Sequence, residues 1–232
     1  MAQQPTNPAP ARPKPPVPPE HMKEGAIAKL AGPALVQLLN DPTASEFQKA
    51  KACQRAGELG AVEAIPALAR LLGDEKLGSY ARYGLEPLFS PAVDETLRGA
   101  LGKLKGNLLI GVIGSISKRR DALALAPLTK LMQDPNTGIA EAAVAAVGSI
   151  GTAESARLLQ SALPKATGRM QMQLADAALV CAEQLLAAGK RDQALELYAF
   201  LSGPKIPRAA RLGAMSAIVR EETSTKRPRP TI

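Results

Sequence analysis

Side chains that could do acid–base, nucleophilic or metal chemistry are few in this chain of 232 residues. The one histidine, His21, has no second imidazole to join it in a catalytic triad or a histidine-based metal site. Cys53 and Cys181 lie at apolar helical positions several predicted helix pairs apart, which predicts buried free thiols rather than a disulfide. Adjacent carboxylates such as Asp94 and Glu95 are typical of solvated helix ends. We therefore expect no enzyme activity, no cofactor and no metal.

The most concentrated polar chemistry is a run of three cations, Lys118, Arg119 and Arg120, which follows an apolar helical stretch. Cations at a helix C-terminus complement the helix dipole and the free carbonyls, so one interpretation of the run is structural. The other interpretation is a contact with an anion or an acidic protein surface. The cations nearby in the sequence that support this second interpretation are Lys103, Lys105 and Lys130.

An internal repeat defines the elements that must position these side chains. Residues 57–60, 114–117 and 148–151 each read as the end of one helix followed by a tight turn and a second helix. The leucines at 35, 38 and 39 recur 33 residues later at 68, 71 and 72, and a related pattern follows at 128–132. Such periodicity predicts an all-α stack of about five to six helix pairs. Further helices are predicted at 91–105, 107–117, 139–150, 154–163 and 169–188.

The composition divides the chain into four parts. Residues 1–25 form a proline-rich tail, with eight prolines in the first twenty residues, and we expect it to be a disordered spacer or a docking peptide. Residues 26–188 carry the helical repeat array, and residues 189–222 carry a C-terminal helix pair that caps it. Residues 223–232 are predicted to be a disordered basic tail.

The leucine pattern followed by aspartate in the first helix, with glycine closing the second helix, resembles the HEAT repeat. It is similar more narrowly to the bacterial PBS-lyase HEAT-like repeats over residues 33–163, while residues 194–198 are similar to a tetratricopeptide helix. Residues 80–87 and 108–121 resemble one subgroup of bacterial HEAT proteins, some of which are exported. The resemblance implies a right-handed α-α superhelix, armadillo-like in form, whose second helices line a concave surface that holds a partner.

The resemblance also implies a ladder in which an arginine of the second helix pairs with the aspartate of the preceding turn. Arg82 fits that role for Asp74, whereas Glu141 cannot pair with the aspartate of its own unit. The alternative for Arg82 and its neighbours Tyr83 and Glu86 is a partner contact, because they fall on a second helix and Tyr and Arg are favoured interface anchors.

Charge and composition leave three functions open. The leading hypothesis is a non-enzymatic scaffold that binds a protein partner on the concave face of the solenoid and at the edge that carries its basic cluster. The net charge of +8 favours an acidic protein surface or a nucleic acid, although aromatics at 3% are too few for base stacking. A chromophore lyase-like protein is a third option that only the family resemblance suggests.

No apolar run approaches the roughly 20 residues that span a bilayer, so we expect no integral membrane segment. The sequence as written predicts a cytoplasmic protein, or an exported one if Met1 replaces a cleaved signal peptide. We expect a monomer in isolation, since the end pairs of such arrays act as caps.

Overall fold

The computed structural model describes residues 24–225, with side chains for residues 26–223, and every element in this part of the chain is helical. His21 and most of the two predicted tails lie outside the described residues. The helices are α1 (Glu24–Ile27), α2 (Gly32–Asn40), α3 (Glu46–Leu59), α4 (Ile65–Leu71), α5 (Gly78–Leu85), α6 (Pro91–Leu101), α7 (Gly106–Arg119), α8 (Leu125–Leu131), α9 (Thr137–Ile150), α10 (Ala153–Ala162), α11 (Gly168–Ala187), α12 (Arg191–Leu201) and α13 (Arg208–Thr225). Short 3-10 turns cover Val62–Ala64, Ala122–Ala124 and Leu163–Lys165.

From α2 onward the helices form pairs that stack side by side. The even-numbered helix comes first in each pair, and the odd-numbered helix packs against it. The second helices α3, α5, α7, α9, α11 and α13 also pack against one another in that order. The chain is therefore an all-α right-handed α-α superhelix, as the sequence predicts.

One leucine in each of the first helices α2, α4, α6, α8 and α10 anchors the core. These residues are fully buried and are Leu35, Leu68, Leu97, Leu128 and Leu159. They recur because each pair buries the same stripe against its own second helix and its neighbours, which is how a solenoid extends one continuous core. The two thiols lie on second helices within this core, and burial raises the pKa of Cys53 and of Cys181 to about 12. The prediction of buried free cysteines is confirmed.

Capping residues and prolines mark the beginnings of several helices. The Ser45 hydroxyl accepts from the backbone N–H of Gln48 at 3.2 Å, and the Gln48 side chain accepts from the Ser45 N–H at 2.8 Å. This reciprocal pair satisfies two helix N–H groups that have no partner within the helix. Pro33 and Pro66 lie in the first turns of α2 and α4, where the missing amide costs nothing.

The middle copy of the repeated turn differs from the prediction. Gly60 and Gly151 close α3 and α9 in the left-handed conformation, as expected. In α7 the corresponding left-handed residue is Arg120, with φ of 53°, so the helix ends at Arg119, two residues past Ser117. Arg120 is the one non-glycine residue at positive φ in the described part of the chain. The alignment of the repeated motif on Gly114 predicts the left-handed residue at Ser117, and the structure places it three residues later, at Arg120.

Glycines allow two pairs of second helices to approach closely. A Cβ added at Gly84 of α5 would lie 2.5 Å from the carbonyl oxygen of Cys53 in α3. A Cβ added at Gly148 of α9 would lie 2.5 Å from the carbonyl oxygen of Ala177 in α11. Both distances are below any real carbon–oxygen contact, so backbone packing holds these repeats together.

The two ends of the array differ slightly from the predicted boundaries. α1 begins two residues before the predicted start, and α13 continues to Thr225, past the predicted end at 222. α13 leaves a stripe of large apolar side chains exposed on its outer face, which are Leu212, Met215 and Val219. No helix among the described residues is long and apolar enough to cross a membrane.

Candidate partner-binding site

The stacked pairs place their turns along two long edges. The turns within pairs lie along one edge, which we call the intra-pair edge, and the turns that connect successive pairs lie along the other, the inter-pair edge. Contacts between neighbouring units establish this arrangement. Arg169 Nε lies 2.6 Å from Glu141 Oε1 and joins the first turns of α11 and α9, while Lys118 Nζ lies 2.7 Å from Glu86 Oε2 and joins the ends of α7 and α5.

A cleft of about 330 Å³ opens at the inter-pair edge where the ends of α3, α5 and α7 meet. It contains three of the residues that the sequence singled out, and its lining is Gly57, Glu58, Tyr83, Glu86, Pro87 and Lys118. Tyr83 is 56% exposed and presents its ring to this opening. The cleft therefore combines an aromatic side chain with two carboxylates and one cation.

Hydrogen bonds hold the charged side of the cleft in place. One oxygen of Glu86 accepts from Lys118, and the other accepts from the hydroxyl of Ser115 at 2.8 Å. The hydrogen bond to Glu86 raises the pKa of the Lys118 ammonium. Because Lys118 itself is exposed, this ion pair orients the side chain but leaves its remaining N–H groups open to a partner.

Arg119 is a structural residue and not part of a basic patch. Its guanidinium binds both oxygens of Asp94, at 2.5 and 3.1 Å, and donates to the backbone carbonyls of Glu86 and Leu88 at 2.8 and 3.0 Å. Its side chain is only 15% exposed. It therefore ties α7 to α6 and to the connecting turn, which corrects the expectation of a partner contact at this residue.

The predicted basic cluster is divided between the two edges. Arg120 is exposed at the inter-pair edge beside Lys118. Lys103 and Lys105 lie in the turn between α6 and α7, at the opposite end of α7, and a 14-residue helix is about 20 Å long. Lys130 ends α8 and so belongs with Lys103 and Lys105. These cations form two groups, because successive helices in the stack run in opposite directions.

The predicted pair of Arg82 and Asp74 is wrong. The Asp74 carboxylate accepts from the backbone N–H groups of Lys76 and Leu77, at 2.8 and 2.9 Å. The guanidinium of Arg82 lies over Gly111 of α7, where an added Cβ would meet it at 2.6 Å. Arg82 packs between two second helices, so it is partly buried rather than presented with Tyr83.

The ladder that links the units uses glutamates of the second helices instead. Glu141 receives two hydrogen bonds from Arg169 of the next unit, at 2.6 and 2.9 Å. Lys76 likewise reaches back to Glu46 of the preceding unit at 2.5 Å, along the same intra-pair edge. Lys118 reaches back to Glu86 at 2.7 Å two units before the Glu141 link, along the inter-pair edge. Glu141, which the family pattern marked as a break, is therefore part of a different ladder.

A row of exposed apolar side chains along the inter-pair edge was not predicted. Phe89 is 103% exposed in the turn between α5 and α6, and Leu123 is 75% exposed in the turn between α7 and α8. Leu59 and Val62, at 43% and 48%, flank the preceding turn. The sequence signal for this row was two adjacent large apolar residues in one turn, Leu88 and Phe89. Leu88 is buried in the core and Phe89 is left exposed. We call these four residues and Tyr83 the apolar edge.

Comparison with known proteins leaves the family open and supports the fold. No protein-family profile matches the chain, and no curated protein matches it. A designed armadillo repeat protein, solved in complex with a (KR)4 peptide, has a TM-score of 0.50 and 19% identity over 82% of this chain and 99% of that chain. One engineered protein has a TM-score of 0.49 and 16% identity over 83% of this chain and 96% of that chain. A second engineered protein has a TM-score of 0.49 and 15% identity over 85% of this chain and 58% of that chain. The fold is thus an armadillo-like helical repeat solenoid.

Proposed function

We propose that this protein is a scaffold that binds a protein partner along the apolar edge, with the Tyr83 cleft at its centre. The observation that carries the proposal is the full exposure of Phe89 in line with Leu123 and Val62 of the neighbouring turns. Burying one such side chain in an interface contributes about 1.5–3 kcal/mol, and this edge offers several at the spacing of the repeat. Tyrosine and phenylalanine are also common at the centres of protein interfaces.

The charges around the cleft suit recognition by a mixed surface. Glu58 and Glu86 present carboxylates to the cleft, and Lys118, which is ion-paired with Glu86, presents its ammonium group beside them. Such rim charges set the orientation and the association rate of a partner more than its affinity. The designed armadillo repeat protein that shares this fold was solved with a peptide, which supports a protein ligand at the level of the fold alone.

The finer assignment rests on the sequence. We propose that the repeats are of the bacterial PBS-lyase HEAT-like type, because the leucine spacing and the turn aspartates follow that pattern. We also propose that the protein is not an enzyme, since its single histidine and its two separated cysteines offer no catalytic set. In isolation it is proposed to be a monomer, which light scattering after size exclusion will test.

Affinity capture with matched variants tests the proposed function. Tagged wild-type chain captures its partner from a lysate of the source organism, and mass spectrometry identifies it. The double variant Phe89→Ser, Leu123→Ser is expected to retain less than a tenth of that partner. The control is Leu212→Ser, Met215→Ser, which removes two large exposed apolar side chains from α13. A partner retained by the edge variant, with both variants folded by circular dichroism, would overturn the proposal.

A further inference from the structure

Exposed cations occupy four successive turns of the intra-pair edge. Each side chain is exposed and has no ion-pair partner among the residues that the structure describes. We call this group the basic edge, and its members are Lys103, Lys105, Lys130, Lys165, Lys205 and Arg208. In the sequence they are spread over more than a hundred residues and form no run.

Contacts between the turns bring these cations into one row. Gln171, near the start of α11, donates to the backbone carbonyl of Lys205 in the next turn at 3.4 Å. Lys165 and Gln133 line one shared cleft, which joins the turn after α10 to the turn after α8. An added Cβ at Gly138, at the start of α9, would lie 3.2 Å from Ile110 of α7, which joins the turn after α8 to the turn after α6.

The charge of the two edges differs strongly over the same stretch of the array. The intra-pair turns, residues 102–106, 129–141, 163–171 and 202–211, hold eight Lys and Arg against two carboxylates. Of these two, Glu141 is bound by Arg169, and Asp134 accepts from the backbone N–H of Asn136. The inter-pair turns, residues 117–123, 150–158 and 182–193, together with the end of α13 at 219–223, hold seven Lys and Arg against six carboxylates. The excess positive charge therefore lies on one edge.

We propose that the basic edge binds the phosphate backbone of a double-stranded nucleic acid without reading its sequence. Helix pairs stack at about 10 Å, so the four turns span about 30 Å, close to one turn of a duplex. A rigid row of cations matches a rigid line of phosphates, and lysine binds phosphate as a point charge. An acidic peptide would lose chain entropy when held straight along this row, so the stiffer polyanion is favoured.

The positions of the exposed aromatic side chains favour contacts with the phosphate backbone and not with the bases. The exposed large aromatic side chains of the described residues, Phe47, Tyr80, Tyr83 and Phe89, all precede α6 and so lie outside these turns. The basic edge thus offers no stacking platform for unpaired bases. Its use is independent of the apolar edge, which faces the opposite side of each pair, so either proposal can fail without the other.

Fluorescence anisotropy of a mixed-sequence 24-base-pair duplex with the full chain tests the proposal. Four phosphate contacts predict a slope of about −3.6 in log K against log salt, or affinity about 150-fold weaker at 200 mM than at 50 mM NaCl. The triple variant Lys103→Glu, Lys130→Glu, Lys165→Glu is expected to bind at least about 50-fold more weakly at 50 mM. The corresponding Gln variant, which removes the positive charges without introducing negative ones, is expected to lose about 10-fold or more.

The matched control is Arg157→Glu, Lys190→Glu, Arg220→Glu, which makes the same change in net charge with exposed cations of the inter-pair edge. It is expected to weaken binding less than about five-fold, since these residues lie on the opposite edge, beyond the Debye length of about 14 Å at 50 mM salt from the duplex. No binding of the wild type at 50 mM overturns the proposal, as does equal loss in both triple variants. Labelled polyglutamate that binds more tightly than the duplex, and loses binding in the edge variant, overturns it in favour of an acidic protein.

Discussion

Replacement of Gly148 by alanine is expected to push α9 and α11 apart and to destabilise the array, although the sequence places this glycine in the same turn motif as Gly114. The added methyl carbon would lie 2.5 Å from the carbonyl oxygen and 2.9 Å from the Cα of Ala177. Both groups belong to the backbone of α11, so no rotamer change relieves the clash. Since carbon contacts are optimal at about 3.5–4.0 Å, α9 and α11 must separate by roughly 1 Å.

The magnitude follows from two opposing terms. Overpacking of a well-packed core costs about 1–3 kcal/mol, and here it acts on the long interface between α9 and α11. Alanine is better than glycine in a helix interior by about 1 kcal/mol, which offsets part of that cost. We expect a net loss of about 1–2 kcal/mol in the free energy of unfolding.

Gly114→Ala is the matched control. Gly114 is exposed on α7, and an added Cβ there meets nothing within 4 Å. The helix-propensity term then acts alone, so this variant is expected to be more stable by about 0.5–1 kcal/mol. Urea unfolding followed by circular dichroism measures both variants. If Gly148→Ala gains stability as Gly114→Ala does, close backbone contact between repeats is not what holds α9 against α11.

Three further variants and conditions give separate outcomes. Arg119→Met is expected to lower the free energy of unfolding by about 2–4 kcal/mol in the same urea assay. The reason is that it removes the donor to the carboxylate of Asp94 and to the backbone carbonyls of Glu86 and Leu88. A change under about 1 kcal/mol would contradict this expectation. Arg120→Gly is expected to raise the melting temperature, since it relieves about 1 kcal/mol of left-handed strain, and an unchanged value would count against that strain. Burial raises the thiol pKa of Cys53 and Cys181 to about 12, above the unfolded value of 9.0, so their contribution to stability is complete below pH 9 and declines as the pH rises toward 12. The double Cys→Ala variant should therefore lose less stability than the wild type between pH 8 and pH 10, and parallel curves would refute the assignment.

Local patterns made much of the fold predictable. The spacing of Leu35 and Leu68 indicated which face of each first helix is buried, because a 3.6-residue period leaves only one such face. The helix start at Ser45 is also a local feature, since its capping box with Gln48 forms within four residues and needs no distant partner. The buried cysteines followed from the same periodicity.

The candidate site was only partly predictable. Tyr83, Glu86 and Lys118 were singled out by residue type, and they do line one cleft. Arg119 was grouped with its neighbours in the sequence, yet one residue along a helix turns the side chain by about 100°, and that rotation directs it into Asp94. Phe89 was missed because its exposure depends on which residue of its turn the core accepts.

The sequence alone determined that this protein is a stack of helix pairs, because hydrophobic periodicity and capping act over one or two helical turns. Only the tertiary structure decided that residues as distant as Lys103 and Lys205 share an edge, since antiparallel helices return every second turn of the chain to the same side. It also decided that the repeated glycines are not equivalent, because a close backbone approach depends on the neighbouring helix. Fold came from local spacing, and the two edges came from the direction in which each helix runs.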